Sequence, residues 1–485
     1  MSPISEINSI IKTPQILWNA LDAAAATGGR SQGGIWEASG VSIDTRSIQN
    51  GDLFIALHGP SHNGHDYLAN AFDNGASAAI VDTVPPYLKK KSPLLVVKDT
   101  HKALNSLAIA ARRRTRAKVF AITGSVGKTG TKEMLAAALS KVGLVSSTKG
   151  NENNEIGVPL NLARLPENCD FGVFEAGMNS QGEMARLSQI IRPDIALITT
   201  VEAAHTEHFD NIDAIANAKG EIFTGLNKNG IGIINLDNPY FSTLEFLAKQ
   251  AGLTNIKTFG QTPKADLQLI SAITTNFDTK VTAKIIDEEL TYSIKLQGTH
   301  WALNSVAALG AAMSIGAESK ELLKGLSSLE PIKGRGQVLT TPFNNGYIKV
   351  VDDSYNANPA SMKAAIICLG EKTQIKEGRR VAILGDMLEL GAEASKAHAS
   401  LASTCSNAGI DFVFTAGSLM ANLYAALPPE IRGNHYASTE KLCSCLDQII
   451  KPSDTILVKG SQGAQMGRVV NALTSKCINY NNNQG

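Results

Sequence analysis

The chain has 485 residues, more than one ordinary hydrophobic core accommodates, so two to four domains are expected. Its 45 basic and 44 acidic residues cancel to a net charge of +1, which removes any global argument for nucleic-acid binding. Six cysteines without CxxC spacing, no signal-peptide layout in MSPISEINSIIKTPQ and no apolar run near the roughly 18 residues of a membrane span point to a reduced, cytoplasmic, soluble protein.

Residues 1–112 read as a first unit with few long helices. Strand-like pieces (Asp52–Leu57, Ala78–Val81) alternate with one helical stretch, Tyr67 to Asn74. His58, His62 and His65 fall within eight residues and invite a metal reading. Their spacing is loop-like and no cysteine or carboxylate pair supports it, so polar loop residues touching a ligand is the better expectation. The basic run Arg112-Arg113-Arg114-Thr115-Arg116 reads as a solvated helix end or linker.

From residue 113 to 330 the rhythm is strand, helix, strand, the pattern of a parallel sheet with helices on its faces. Its organising stretch is Lys118 to Leu135, KVFAITGSVGKTGTKEML. A short apolar strand runs into Gly124-Ser125-Val126-Gly127-Lys128-Thr129, and a helical pattern follows. Such a turn leaves backbone N–H groups free at the positive end of a helix, which suits phosphate. Lys128 is placed to reach β/γ-phosphates and the Thr129 hydroxyl to ligate Mg²⁺. The long form GxxxxGK[ST] wants glycine at position 122; Ile122 stands there, leaving the shorter TGSxGKT form. A glycine-rich turn that merely contains lysine remains the alternative at this point. Further buried strands are expected at Gly172–Glu175, Ile195–Thr199 and Ile231–Asn235. Ligands in such sheets sit beyond the carboxyl ends of the strands, where Glu175, Thr199, Thr200, His205, Asn235 and Asp237 follow. Glu175 is the natural Mg²⁺ partner of this loop; the plainer reading is a strand-end acid capping the next helix. Between Asp266 and Leu296 alternating strands suggest a small antiparallel annex, after which Asn304 to Ser314 forms an alanine-rich helix.

Residues 331–485 repeat the α/β rhythm, with strands at Ile348–Asp352, Val381–Leu384, Phe412–Thr415 and Thr455–Val458. The unit is Rossmann-like by pattern but lacks GxGxxG, so no dinucleotide site is assigned.

TGSVGKTGTKEM, the run Asn151-Glu152-Asn153-Asn154-Glu155-Ile156-Gly157-Val158-Pro159, GVFEAGMN and AAHTEHF together resemble the central domain of the Mur ligases. These ATP-dependent enzymes build the cytoplasmic peptide stem of peptidoglycan, and the resemblance runs from about residue 40 to 470. SIDTRSIQNGDLFIALHGPSHNGHDY, DDSYNANP and LGDMLELG are similar to the branch that joins D-alanyl-D-alanine to UDP-N-acetylmuramoyl-tripeptide. The resemblance implies three α/β domains: 1–112 for the uridine nucleotide, a central 113–330 for ATP, and 331–485 on the dipeptide side, closing over ATP. It also implies an acyl-phosphate intermediate, small-molecule substrates and a monomer.

Residue by residue, the resemblance implies ATP contacts from Gly124, Ser125, Val126, Gly127, Lys128 and Thr129, from His300 and Asn304 near the adenine, and from Arg335. Mg²⁺ ligands are expected at Thr129, Glu175 and His205. Asp353 is expected to close over ATP, and Lys219 matches a lysine that this family carbamylates. Read without the resemblance, Lys219 is a helix-surface lysine. Substrate contacts are expected from Thr45, Arg46, Asn63, His65, Asn153, Asn154, Tyr355, Asn356 and Asn358. Gly130 departs from the family, which commonly has a second threonine there.

Overall fold

The runs Ile195–Ile198 and Ile231–Asn235 are buried at every position, as strands covered on both faces must be. In this computed structural model, described for residues 15–88, 91–203, 207, 209, 211–275, 278–371 and 378–475, contacts divide the chain into two units. Met1–Lys118 and Thr148–Gly172 make the first, and Val119–Ser147 with Val173–Gly485 the second.

The first unit holds a five-stranded sheet in the order Arg30–Gln32, Leu94–Val96, Ala78–Val81, Asp52–Ile55, Gly40–Ser42, parallel except at its first pair. Leu53, Ile55 and Ile80 bury one face against Leu104 and Leu107 of the helix Thr100–Arg114, with Leu160 and Ala163 of the helix Gly157–Ala163 in the same core. That shared core is why residues 148–172 fold here. The basic run does end a helix, but Arg114 is no solvated tip. Its guanidinium lies 4.2 Å over the Trp18 ring and donates to the Leu17 carbonyl at 2.6 Å. The Trp18 indole in turn donates to the Ala163 carbonyl at 2.8 Å.

The second unit contains two sheets. In the nine-stranded one, Lys118–Thr123 lies between Ile195–Ile198 and Phe171–Glu175. The expected annex (Leu267–Thr274, Thr279–Ile285, Glu288–Ile294) is antiparallel within itself. It is not a separate piece: Leu267–Thr274 pairs in parallel with Asn255–Gly260 and so extends the same sheet. The alanine-rich helix Thr299–Met313 begins earlier than the sequence suggested, because Gly298 supplies the break at φ 116°. The six-stranded sheet runs Gln337–Phe343, Gly346–Asp353, Thr455–Lys459, Arg380–Gly385, Phe412–Ala416, Arg432–Tyr436. Only its first hairpin is antiparallel. Insertion of Thr455–Lys459 between Gly346–Asp353 and Arg380–Gly385 creates a switch point, and the strands Gly346–Asp353 and Thr455–Lys459 end in Asp353 and Lys459.

Candidate active site

The strand Lys118–Thr123 ends in a loop whose shape depends on two glycines. Gly124 sits at φ 148°, and a Cβ there would stand 1.9 Å from Thr199 Oγ1. Gly127, at φ 86°, caps the helix Lys128–Leu139, and a Cβ there would stand 2.8 Å from Asn304 Nδ2. Neighbouring strand ends hold the loop. Ser125 N donates to the Thr200 carbonyl at 2.8 Å and its hydroxyl to the Glu202 carbonyl at 2.9 Å. The Thr199 hydroxyl donates to the Val126 carbonyl. The result is a rigid cradle at a positive helix end, the geometry an anionic phosphate needs.

Below the cradle the Thr129 hydroxyl donates to Glu175 Oε2 at 2.8 Å, and both side chains are buried. Glu175 therefore faces the loop. Two hard oxygen donors side by side at the loop suit Mg²⁺. Lys128 Nζ donates to the Gly124 carbonyl at 2.8 Å. Burial lowers its pKa, Glu175 opposes that shift, and Arg335 adds to it. Lys219, at the end of the helix Ile212–Gly220, is 2% exposed, so it is no surface lysine. Burial holds its pKa well below the ordinary lysine value, with the Lys128 charge adding to the effect.

The six-stranded sheet supplies the rest. Lys459 Nζ donates to Asp353 Oδ2 at 2.7 Å and to the Asn356 carbonyl at 2.9 Å. Burial raises the Asp353 pKa, against the pull of Lys459 and Arg335. Arg335 lies 4.2 Å over the Tyr355 ring. His300 is held down at about 4 by burial and then by the Lys459 charge, so its ring is neutral near pH 7. Lys128, Thr129, Glu175, Lys219, His300, Asn304, Arg335 and Asp353 thus share one neighbourhood. His205 lies outside the described residues. Lys459 joins this group unexpectedly; its only signal in the sequence is its place at the end of an apolar strand. A cavity of about 390 Å³ opens beside Tyr355, lined by Ser354, Gln462, Gln465, Gly467 and Arg468.

Several expected substrate residues also make internal contacts. Asn358 caps the helix Pro359–Gly370, accepting from Ser361 N at 2.8 Å in a capping box. Asn356 Oδ1 accepts from Ala357 N at 2.9 Å. In the first unit Asn154 Oδ1 accepts from Gly157 N at 2.8 Å, and Asn153 N donates to the Asn151 carbonyl. Arg46 is 88% exposed and pairs with Asp44 at 2.6 Å, while Thr45 holds Asn74 through its carbonyl. His58, His65 and Asp82 do cluster, with ligand atoms within 4.8 Å of one another. Both His65 nitrogens are engaged, however. Nε2 accepts the Asp82 N–H at 3.2 Å and Nδ1 faces Asn63 Oδ1 at 2.9 Å, which the neutral Nδ1–H tautomer satisfies. The trio anchors the loop.

Comparison with known proteins gives a consistent picture. Descriptions of the Mur ligase family match residues 37–112 (catalytic domain), 122–312 (middle domain) and 334–462 (glutamate ligase domain). The chain is 38% identical to the UDP-N-acetylmuramoyl-tripeptide–D-alanyl-D-alanine ligase of Escherichia coli over 92% of its length and 96% of that protein. A crystal structure of MurF from Acinetobacter baumannii superposes with a TM-score of 0.83 at 27% identity, covering 95% of this chain and 99% of that one. MurF from Thermotoga maritima in complex with ADP gives 0.76 at 26% identity, covering 91% and 98%. No helix among the described residues is long and apolar enough to cross a membrane.

Proposed function

The chain belongs to the Mur ligase family, and we propose that it joins D-alanyl-D-alanine to UDP-N-acetylmuramoyl-tripeptide at the expense of ATP, forming a peptidoglycan precursor. The tripeptide carboxylate attacks the γ-phosphate, giving an acyl phosphate and ADP. The dipeptide amine then attacks the acyl carbon, loses a proton and expels phosphate. Little covalent chemistry falls to the protein; it positions anions and offsets their repulsion.

Lys128 and the loop N–H groups hold the phosphates, and Arg335 meets the charge from the other sheet. Thr129, Glu175 and His205 are the residues to hold Mg²⁺, which supplies charge neutralisation at the transferring phosphoryl group. Lys219 is the carbamylation site: its neutral amine bonds to the carbon of CO₂ and releases a proton, turning a donor into an anionic acceptor. Its burial supports that reading, since only the neutral amine reacts. His300 and Asn304 lie on the adenine side. Residues 1–112 serve the uridine nucleotide, with Arg46 available to its phosphates. The cavity beside Tyr355, lined in part by Arg468, takes the dipeptide.

The observation that carries the reading is the buried Thr129–Glu175 pair at the phosphate loop, close to the half-buried Lys128 and the buried Lys219. Product mass spectrometry with ATP, D-alanyl-D-alanine and UDP-muramoyl-tripeptides carrying diaminopimelate or lysine tests it. A pentapeptide product with stoichiometric ADP is expected. ATP turnover indifferent to the dipeptide overturns it.

A further inference from the structure

Two glycines flank one buried indole. A Cβ built on Gly130 would stand 2.0 Å from Trp301 Cζ3, and one built on Gly336 would stand 3.5 Å from Trp301 Nε1. Gly130 directly follows Thr129 on the phosphate-loop helix; Gly336 directly follows Arg335. Trp301 is only 8% exposed and sits on the helix Thr299–Met313, with the His300 ring centroid 5.5 Å away. Three residues on, hence on the same helix face, Asn304 meets Gly127. The helix therefore touches the phosphate loop at Gly127 and the helix that follows it at Gly130, and its indole reaches the Arg335 turn as well.

That turn is itself stiff. Gly334 N donates to Asp352 Oδ2 at 3.0 Å, Gly336 N to the Asp352 carbonyl at 2.8 Å, and Tyr355 N to the Gly334 carbonyl at 3.0 Å. Whatever displaces Gly336 displaces Arg335 and the Asp353 strand end together.

We propose that Trp301 is a positioning residue, seated between Gly130 and Gly336, that sets the distance from the phosphate loop to Arg335. This rests on the ATP-ligase reading above. It also accounts for Gly130: any side chain there lifts the indole off the helix backbone, and the Arg335 turn with it.

The test uses the full chain and the ligation assay, with ADP affinity and melting temperature measured in parallel. Trp301→Ala should lower kcat by about tenfold or more while ADP affinity changes by less than about threefold, since the loop itself is intact. Trp301→Phe should recover most of kcat. Gly130→Ala should lower kcat similarly, and Gly130→Ala/Trp301→Ala should regain melting temperature but not kcat, because space returns without the spacer. If Trp301→Ala melts lower yet keeps the parent kcat, the indole is core filling and the proposal fails. Should single variants not fold, the double variant decides: parent-like kcat overturns the proposal. A parent protein that makes no ATP-dependent product refutes the ligase reading instead, which separates the two failures.

Discussion

At the scale of single residues, environment rather than identity decides what each lysine and histidine does. Lys219 would be an ordinary ammonium in water; buried next to Lys128 it favours the neutral amine. Lys219→Ala should cost about a hundredfold or more in kcat/KM, the scale of losing one preorganised charge at a reacting centre. Short carboxylates such as formate should restore about tenfold of it. A fully active, rescue-indifferent alanine variant would end the carbamate assignment. His300 gives a pH signature. Its folded-state value is about 4, below the ordinary 6.5, so between these values the unfolded chain binds the extra proton. Its contribution is complete above about pH 6.5 and is lost as pH falls toward 4. Melting temperatures from pH 4 to 7 should therefore decline less steeply in His300→Gln than in the parent. Parallel curves would refute the shift.

At the scale of elements, short polar side chains mostly close the backbone accounts of helices and loops. Asn358 shows how this can be told from substrate binding. Its capping box predicts that Asn358→Ala loses about 1 kcal/mol, read as a lower melting temperature, with KM for the dipeptide unchanged within about twofold. A tenfold rise in KM at constant stability would return Asn358 to the substrate. The elements were legible in the sequence: the short apolar strand expected before Gly124 is Lys118–Thr123, and Ile231–Asn235 is unchanged. Apolar runs bounded by turns carry that information locally. The sequence could not tell a backbone-binding role from a ligand role at Asn154 and Asn358, because both uses favour the same residue. Nor could it see that residues 148–172 share a core with Thr100–Arg114, a contact made across tens of residues of intervening chain. Edge strands such as Arg432–Tyr436, polar and short, lacked the apolar signal altogether.

At the scale of the whole molecule, near-neutral net charge leaves recognition of anionic substrates to local arrangements, and the second unit concentrates these where two sheets present their carboxyl edges. Lys128, Thr129 and Glu175 come from one sheet; Arg335, Asp353 and Lys459 belong to the other, and Arg335 and Lys128 are close enough to depress the Lys128 pKa. This division suggests that phosphoryl transfer and amine attack use separate groups and can be observed separately. With ATP and the tripeptide but no dipeptide, ¹⁸O placed in the β–γ bridge should scramble into the non-bridge β positions, because the acyl phosphate forms and reverts. The scrambling should need the tripeptide and vanish in Lys128→Ala. An Arg468→Ala variant should scramble normally yet ligate slowly, since Arg468, paired with Glu440, lines the cavity proposed for the dipeptide. Scrambling that appears only when the dipeptide is present would mean that the acyl phosphate forms only in the fully loaded site. The two edges would then have to be treated as one catalytic surface.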